Sequence, residues 1–170
     1  ILRDYRYYMK LERGMSPNTV ASYSSDIEKF LSSFEEKSIS EISSEDITRH
    51  LSGVNKKGLS GRSQARLMSA LKSFFKWTVL EGERKDNPCD KIDSPKLGRY
   101  LPSVLSIEEV EAILDSIDLK SPTGPRDRAI LEVLYGCGLR VSEAAGLLIS
   151  RVWLDEGFVS IVGKGDKERL

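Results

Sequence analysis

Three residues in the C-terminal third could together handle a phosphate group: Arg140, Glu143 and Lys164. Arg140 follows Gly136-Cys-Gly138 and stands at the start of a short predicted helix. An arginine there can meet an anion beside helix N–H groups, which concentrates positive potential. Glu143, three residues on, can fold back and hold the guanidinium in a bidentate pair. Lys164 sits at a predicted hairpin tip in Gly163-Lys-Gly165, where the backbone is free to bring an ammonium into a groove. Taken singly, each residue also reads as surface: Arg140 as a helix-start arginine paired with Glu143, Lys164 as a solvated turn lysine. The Gly-Lys-Gly-Asp turn lacks the Gly-x-x-x-x-Gly-Lys-Ser/Thr spacing and following helix of a nucleotide-binding loop, so that chemistry is set aside.

A second candidate lies in the first half. The segment Arg-Ser-Gln-Ala-Arg-Leu-Met-Ser-Ala-Leu-Lys-Ser-Phe-Phe-Lys-Trp-Thr-Val-Leu, 62–80, is strongly amphipathic. At 100° per residue, Leu67, Leu71, Phe74, Phe75 and Thr78 fall within about 100°, and Arg62, Arg66, Lys72 and Lys76 within about 120° on the opposite side. From Ile47 to Leu80 there are seven basic residues, Lys56 and Lys57 among them, and no acid. A solvated charged face normally carries interleaved acids. An acid-free one points to a polyanion, and a helix of basic and small polar residues suits a DNA major groove. An RNA partner stays open, although Phe74 and Phe75 point away from the basic face that would stack bases. Ser63 and Gln64 lie near the helix start, where backbone N–H groups can also meet a phosphate.

The elements that must position these residues are mostly helices. Ser16-Pro17 opens one, with Val20, Tyr23, Ile27, Phe30, Leu31 and Phe34 at helical spacing. A shorter helix begins near Ser44, which can cap it; Val54 to Gly61 reads as a loop, and Ser63 to Leu80 as the basic helix, closed by Gly82. Residues 86–102, with Pro88, Pro95 and Pro102, read as an extended linker. Beyond it, Ser106-Ile-Glu-Glu109 is a capping box opening a helix. Arg126–Tyr135 and Val141–Leu148 are helical, Phe158–Val162 is a strand, and Lys167–Leu170 returns. The predicted fold class is therefore mainly α with a β-hairpin start, in domains 1–87 and 103–170 joined by linker 88–102.

Composition bounds the rest. The chain has 170 residues, 26 Lys+Arg and 26 Asp+Glu, and a formal net charge of zero. That zero conceals segregation: residues 1–100 carry 18 basic and 14 acidic residues, and the remainder carries 8 and 12. No apolar run reaches the length of a membrane span, so a cytoplasmic protein without a membrane partner is expected. The single His50 excludes a histidine-based metal cluster and reads as a helix-surface residue. Cys89 and Cys137 are too few for a disulfide framework and read as linker and core residues. A start at Ile1 and a stop at Leu170, inside a hairpin, read as a fragment of a longer protein.

Together the residues resemble the tyrosine recombinase (phage-integrase) family, most closely its bacterial Xer-type members. The resemblance runs over SPNTVASYSSDIEKF, GLSGRSQARLMSALKSFFKWTVLEG and NPCDKIDSPK, then LPSVLSIEEVEAIL, RDRAILEVLYGCGLRVSEAAGL and VGKGDKERL. It implies a helical SAM-like core-binding domain of four to five helices, then the start of an α+β catalytic domain. It implies cutting and rejoining of duplex DNA through a 3′-phosphotyrosyl intermediate, with no metal or other cofactor, by protomers that assemble as a tetramer on DNA. By this resemblance Arg140 matches the first catalytic arginine, Lys164 the hairpin lysine that protonates the leaving 5′-oxygen, and Glu143 a supporting acid. DNA contacts are expected from Lys56, Lys57, Arg62, Ser63, Gln64, Arg66, Lys72, Lys76, Arg99, Lys167 and Arg169. The family's His-x-x-Arg motif and nucleophilic tyrosine lie beyond Lys164, and none of the six tyrosines present matches the nucleophile. Arg151 stands where Xer-type members commonly carry Asp. The fragment is therefore expected to bind DNA without cutting it. The alternative is a non-catalytic DNA-binding or regulatory module.

Overall fold

A computed structural model of the chain describes residues 1–93, 103–163 and 167–170. The chain divides into two compact units, Ile1–Tyr100 and Leu101–Leu170. It is mainly α, as the apolar periodicity requires.

Four α-helices build the first unit: α1 (Leu2–Tyr7), α2 (Pro17–Leu31), α3 (Ser44–Lys56) and α4 (Gly61–Leu80). A π-helical turn, Tyr8–Glu12, continues α1, and a 3₁₀ turn, Ile39–Glu41, lies between α2 and α3. Serines set three starts. The Oγ atoms of Ser16, Ser43 and Ser60 accept from the backbone N–H three residues on, and Pro17 takes the first helical position of α2. Four boundaries differ from the sequence expectation, the first being that α2 ends at Leu31, short of Phe34. Ser43, not Ser44, caps α3, because the Ser44 hydroxyl instead donates to the Pro88 carbonyl (2.7 Å). Residues 54–56, expected as loop, complete α3, and α4 begins two residues early, leaving only 57–60 between them.

The core of this unit is aromatic. Tyr5, Phe30, Phe74 and Phe75 are fully buried. Phe74 meets Tyr5 edge-on at 5.2 Å and Phe75 at 5.3 Å, and Phe75 meets Phe30 edge-on at 6.0 Å. Such pairs add about 0.5–1.5 kcal/mol each beyond area burial. The helix α1, not anticipated from sequence, changes the role of α4. Tyr5 and Tyr8 pack on Trp77, so Trp77 and Ala70 are buried with Met68 and the expected apolar stripe. The buried arc of α4 thereby widens to about 180°, from the 100° read from the apolar stripe.

Residues 86–92 correct the expectation of an extended linker. Cys89 is fully buried, its N–H donates to Asn87 Oδ1 (2.9 Å), and Ile92 packs against the core. Burial pushes the Cys89 thiol up to about 12. Cys89 is thus core and Cys137 exposed, the reverse of the sequence assignment. Arg84, whose side chain is almost wholly buried, donates from Nη1 to the carbonyls of Ile39 (2.5 Å) and Ile42 (2.9 Å), with its guanidinium 5.4 Å from the Phe75 ring centre. It pins the α2–α3 connection to the base of α4.

The second unit holds α5 (Ile107–Asp115), α6 (Gly124–Gly136) and α7 (Val141–Ala145), a 3₁₀ turn at Ile149–Arg151 and four two-residue strands. The capping box opens α5: Ser106 N–H donates to Glu109 Oε2 (2.8 Å) and Glu109 N–H to Ser106 Oγ (3.2 Å). Strand β1 (Val152–Trp153) pairs antiparallel with β2 (Phe158–Val159), and β3 (Ile161–Val162) with β4 (Glu168–Arg169). The single strand expected over Phe158–Val162 is therefore split at Ser160. Its N–H donates to Arg151 O (2.9 Å), and its hydroxyl bonds the Glu168 carboxylate.

Candidate nucleic-acid interface and phosphate site

On α4, Arg62, Arg66, Ser69 and Lys76 are exposed, at the three- and four-residue spacing of one helical stripe. Lys72 is half-buried. Lys56 and Lys57 are exposed at the C-terminal end of α3. The stripe is not free of acid in space, although it is in sequence. Arg66 donates from Nε to Asp26 Oδ2 (2.9 Å) and from Nη2 to Asp26 Oδ1 (3.0 Å), a forked pair with α2. The Asp26 carboxylate raises the Arg66 pKa further. No spacing rule links two residues 40 positions apart, so this partner was invisible in the sequence. Half of the Arg66 side chain stays exposed, 48%, so its outer face can still meet an anion.

The polar residues at the α4 start are also engaged. The Gln64 side-chain amide donates to Asn55 Oδ1 and to the Leu59 carbonyl, both at 2.8 Å, and so ties the α3–α4 turn. Ser63 Oγ accepts from Ser60 Oγ (3.0 Å). Their first task is to hold the start of the helix. His50 lies half-buried on α3, its ring edge-on to Phe30 at 5.0 Å, and burial lowers its pKa. It is a packing residue and less exposed than expected.

In the second unit, α6 ends at Gly136, and Gly138 takes φ +58°, a left-handed conformation that turns the chain and that a side chain strains to adopt. This turn delivers Leu139 inward and Arg140 outward. The Arg140 side chain is 67% exposed, while that of Glu143 is 7% exposed. Glu143 Oε2 accepts from the Arg140 backbone N–H (2.8 Å), and Oε1 accepts from Arg140 Nη1 (2.7 Å). The bidentate guanidinium pair expected between these two is therefore a single contact. The fork comes from elsewhere: Arg169, on β4, donates from Nη2 to Oε2 (2.8 Å) and from Nη1 to Oε1 (3.2 Å). Arg169, expected to contact DNA, here spends its guanidinium on Glu143. With the Arg169 bonds first among the causes, and the Arg140 N–H next, Glu143 is held at about 2, well below the ordinary carboxyl range.

The result is a buried carboxylate that stays ionised and presents the Arg140 guanidinium to solvent. A fixed, exposed, positively charged fork is what a phosphate oxygen pair requires. Lys164 and Arg99 lie outside the described residues. Lys167 is exposed, and its carbonyl accepts from the Gly163 N–H (2.8 Å) at the end of the β3–β4 ladder. Among the described residues no group of three or more His, Cys, Asp and Glu is placed to hold a metal ion.

Two family models match the chain. "Phage integrase, N-terminal SAM-like domain" covers residues 2–82, and "Phage integrase family" covers residues 103–170. The chain belongs to the tyrosine recombinase (phage integrase) family. It is 42% identical to tyrosine recombinase XerD of Chlorobaculum tepidum over 99% of the chain and 57% of that protein. It is 36% identical to tyrosine recombinase XerD of Listeria monocytogenes over 100% of the chain and 59% of that protein. The chain thus spans less than two thirds of the length of these relatives. Among solved structures, a lambda integrase dimer bound to a COC′ core site shares the fold, with TM-score 0.79 at 20% identity over 99% of the chain and 59% of that protein. The XerH recombinase in a post-cleavage complex with a palindromic difH substrate matches with TM-score 0.66 at 25% identity, over 99% of the chain and 52% of that protein.

Proposed function

We propose that this chain serves site-specific recombination of duplex DNA, supplying the core-binding domain and part of the phosphate pocket of a tyrosine recombinase. The observation that supports this most directly is Arg140, exposed at a tight turn and braced by a buried, ionised Glu143. In the reaction a tyrosine oxygen attacks the scissile phosphorus, the bond to the 5′-oxygen breaks, and a 3′-phosphotyrosyl link forms. Arg140 stabilises the charge that builds on the phosphoryl oxygens. Lys164 gives its proton to the departing 5′-oxygen. Glu143 touches no substrate; it fixes the position of Arg140. None of Tyr5, Tyr7, Tyr8, Tyr23, Tyr100 and Tyr135 is assigned as the nucleophile. The exposed α4 residues Arg62 and Lys76 with Lys56 and Lys57 form the sequence-independent DNA contacts. The expected partners are duplex DNA and further recombinase protomers. A DNA substrate implies the cytoplasm, and chromosome segregation and element integration are the two processes such recombination can serve.

The test is a suicide recombination site, nicked so that the released strand diffuses away. The 170-residue chain should bind it in a salt-dependent manner and leave no covalent adduct. The intact protein encoded by the gene should form an adduct, and Arg140→Ala should abolish its efficient cleavage. An adduct on any of the six tyrosines named above, or unchanged cleavage by Arg140→Ala, refutes the assignment. Raising salt from 50 to 200 mM should weaken binding by roughly 10-fold for about every two phosphates neutralised.

A further inference from the structure

We propose that Arg169 is a positioning residue of the phosphate site: it clasps Glu143 and so fixes β4, with the Gly163 end of β3 paired to it, against the turn that presents Arg140. This rests on the recombinase reading above and goes beyond it. Glu143 is the shared joint. One edge of its carboxylate takes the Arg140 backbone N–H and Nη1. The same two oxygens take the forked Arg169 guanidinium from β4. Arg169 Nη2 also reaches the Gly138 carbonyl at 3.5 Å, the turn that delivers Arg140. The hairpin base lies directly against this pair. A Cβ added at Gly163 would sit 3.4 Å from Arg169 Nη1 and 3.5 Å from Glu143 Oε1. Gly163 immediately precedes Lys164, and its N–H is held by Lys167 O.

Strands β3 and β4 share only two residue pairs, so the ladder alone is a weak determinant of where the hairpin sits. A charge-assisted, forked pair to a buried carboxylate supplies the missing geometric restraint. One carboxylate thereby joins the Arg140 turn to the β3–β4 ladder, through the Arg140 backbone and side chain on one side and through Arg169 and Gly163 on the other. The arrangement also bears on the DNA contact expected of Arg169 from the sequence. A guanidinium bound at both ends to Glu143 and to Gly138 acts on the pocket, and loses most of its donors for an external phosphate.

The test uses the intact protein and compares Arg169→Ala, Arg169→Lys and wild type on the suicide site. With Arg169→Ala, affinity for the site should stay within about threefold, while adduct formation at saturating DNA falls on the order of 100-fold, as misplacement of a catalytic group requires. Arg169→Lys, which keeps the charge and loses the fork, should recover part of that loss. The acid limb of the rate profile should move to higher pH in Arg169→Ala, because Glu143 loses its main cationic partner. Unchanged adduct formation, or a loss of affinity with the saturated rate intact, overturns the proposal; the latter would make Arg169 a phosphate contact. A second measurement does not depend on activity. Amide exchange at Gly163 should accelerate in Arg169→Ala and less in Arg169→Lys, and unchanged exchange also overturns it. If wild type itself forms no adduct on duplex DNA, the recombinase reading fails while the exchange experiment still decides the clasp.

Discussion

The two units use the same local devices and reach opposite interiors. In both, serine caps open the helices and apolar residues recur at helical spacing. In the first unit that spacing closes on an aromatic core, and among the described residues every large side chain that is fully buried lies there. In the second, Ile107, Ile113, Ile130, Tyr135 and Ile149 stay exposed, and among the described apolar residues only Leu139 and Ile161 are buried. What joins the second unit is mostly polar: the Glu143–Arg169 fork, the Ser160–Glu168 bond and the capping box at Ser106. Stability therefore resides in the unit that presents the basic stripe, and the proposed phosphate site in the unit held by charges. The chain has two tryptophans, one in each unit, Trp77 in the first core and Trp153 stacked on Phe158 in the second. They let the two be followed separately.

The largest expected effect breaks the first core. Phe74→Ala removes a ring that touches Tyr5, Phe75 and Trp77. It should cost about 3–5 kcal/mol in denaturant unfolding followed at Trp77. Ile149→Ala, at a side chain 93% exposed, should change the Trp153 transition by less than about 0.5 kcal/mol. Equal losses from the two substitutions would show that the contrast between the units is wrong.

How much of this contrast was legible depended on range in the sequence. The periodicity of 62–80, the Ser106 capping box and the Gly136–Gly138 break are local signals, and each became the element expected, while the helix opened by Ser16-Pro17 formed but stops at Leu31, short of Phe34. Arg140 with Glu143 was legible for the same reason, being one helical turn apart. What escaped is non-local. The cover of Trp77 by α1, the Asp26–Arg66 fork and the Glu143–Arg169 fork join residues with no periodic relation. Arg84 escaped because an arginine in a charged stretch, Glu81 to Lys85, gives no sign that its guanidinium will be buried against two carbonyls. The linker was misjudged because Pro88 and Asn87 signal a turn but not whether the turn packs.

A middle effect is pH. Asp46, bonded first by Lys37 and then by the Ser43 N–H, sits at about 2 against an ordinary 3.8. Glu143, bonded first by Arg169, sits at about 2 against an ordinary 4.5. Both carboxyls are lower in the folded chain than in the unfolded one. Each contribution is therefore complete above its ordinary value and disappears as pH falls through about 2. The first unit keeps its apolar core when Asp46 is protonated, and the second has little to replace Glu143. On acid titration the Trp153 signal should change at higher pH than the Trp77 signal. Glu143→Gln, which removes the titrating charge, should erase the acid dependence at Trp153 and leave that at Trp77. A Trp77 change that precedes the Trp153 change would reverse the assignment of stability.

The smallest effect sharpens the comparison by applying one perturbation to both units. Ser60 caps α4 and Ser106 caps α5, each accepting from the N–H three residues on, at 3.3 and 3.2 Å. Replacement of either by Ala should remove about 1 kcal/mol of helix stability. The removal is equal, but the consequence is not. In the first unit the loss is set against a core of interlocked rings, so the Trp77 transition should shift slightly and stay cooperative. In the second the cap is one of few restraints on a helix whose Ile107 and Ile113 lie exposed. There the same loss should appear as fraying: faster amide exchange through residues 107–110 at conditions where Ser60→Ala leaves the first turn of α4 protected. Matched protection in the two variants would mean that α5 has a tertiary support equivalent to that of α4, and that the polar contacts carry less of the second unit than its exposed apolar surface implies.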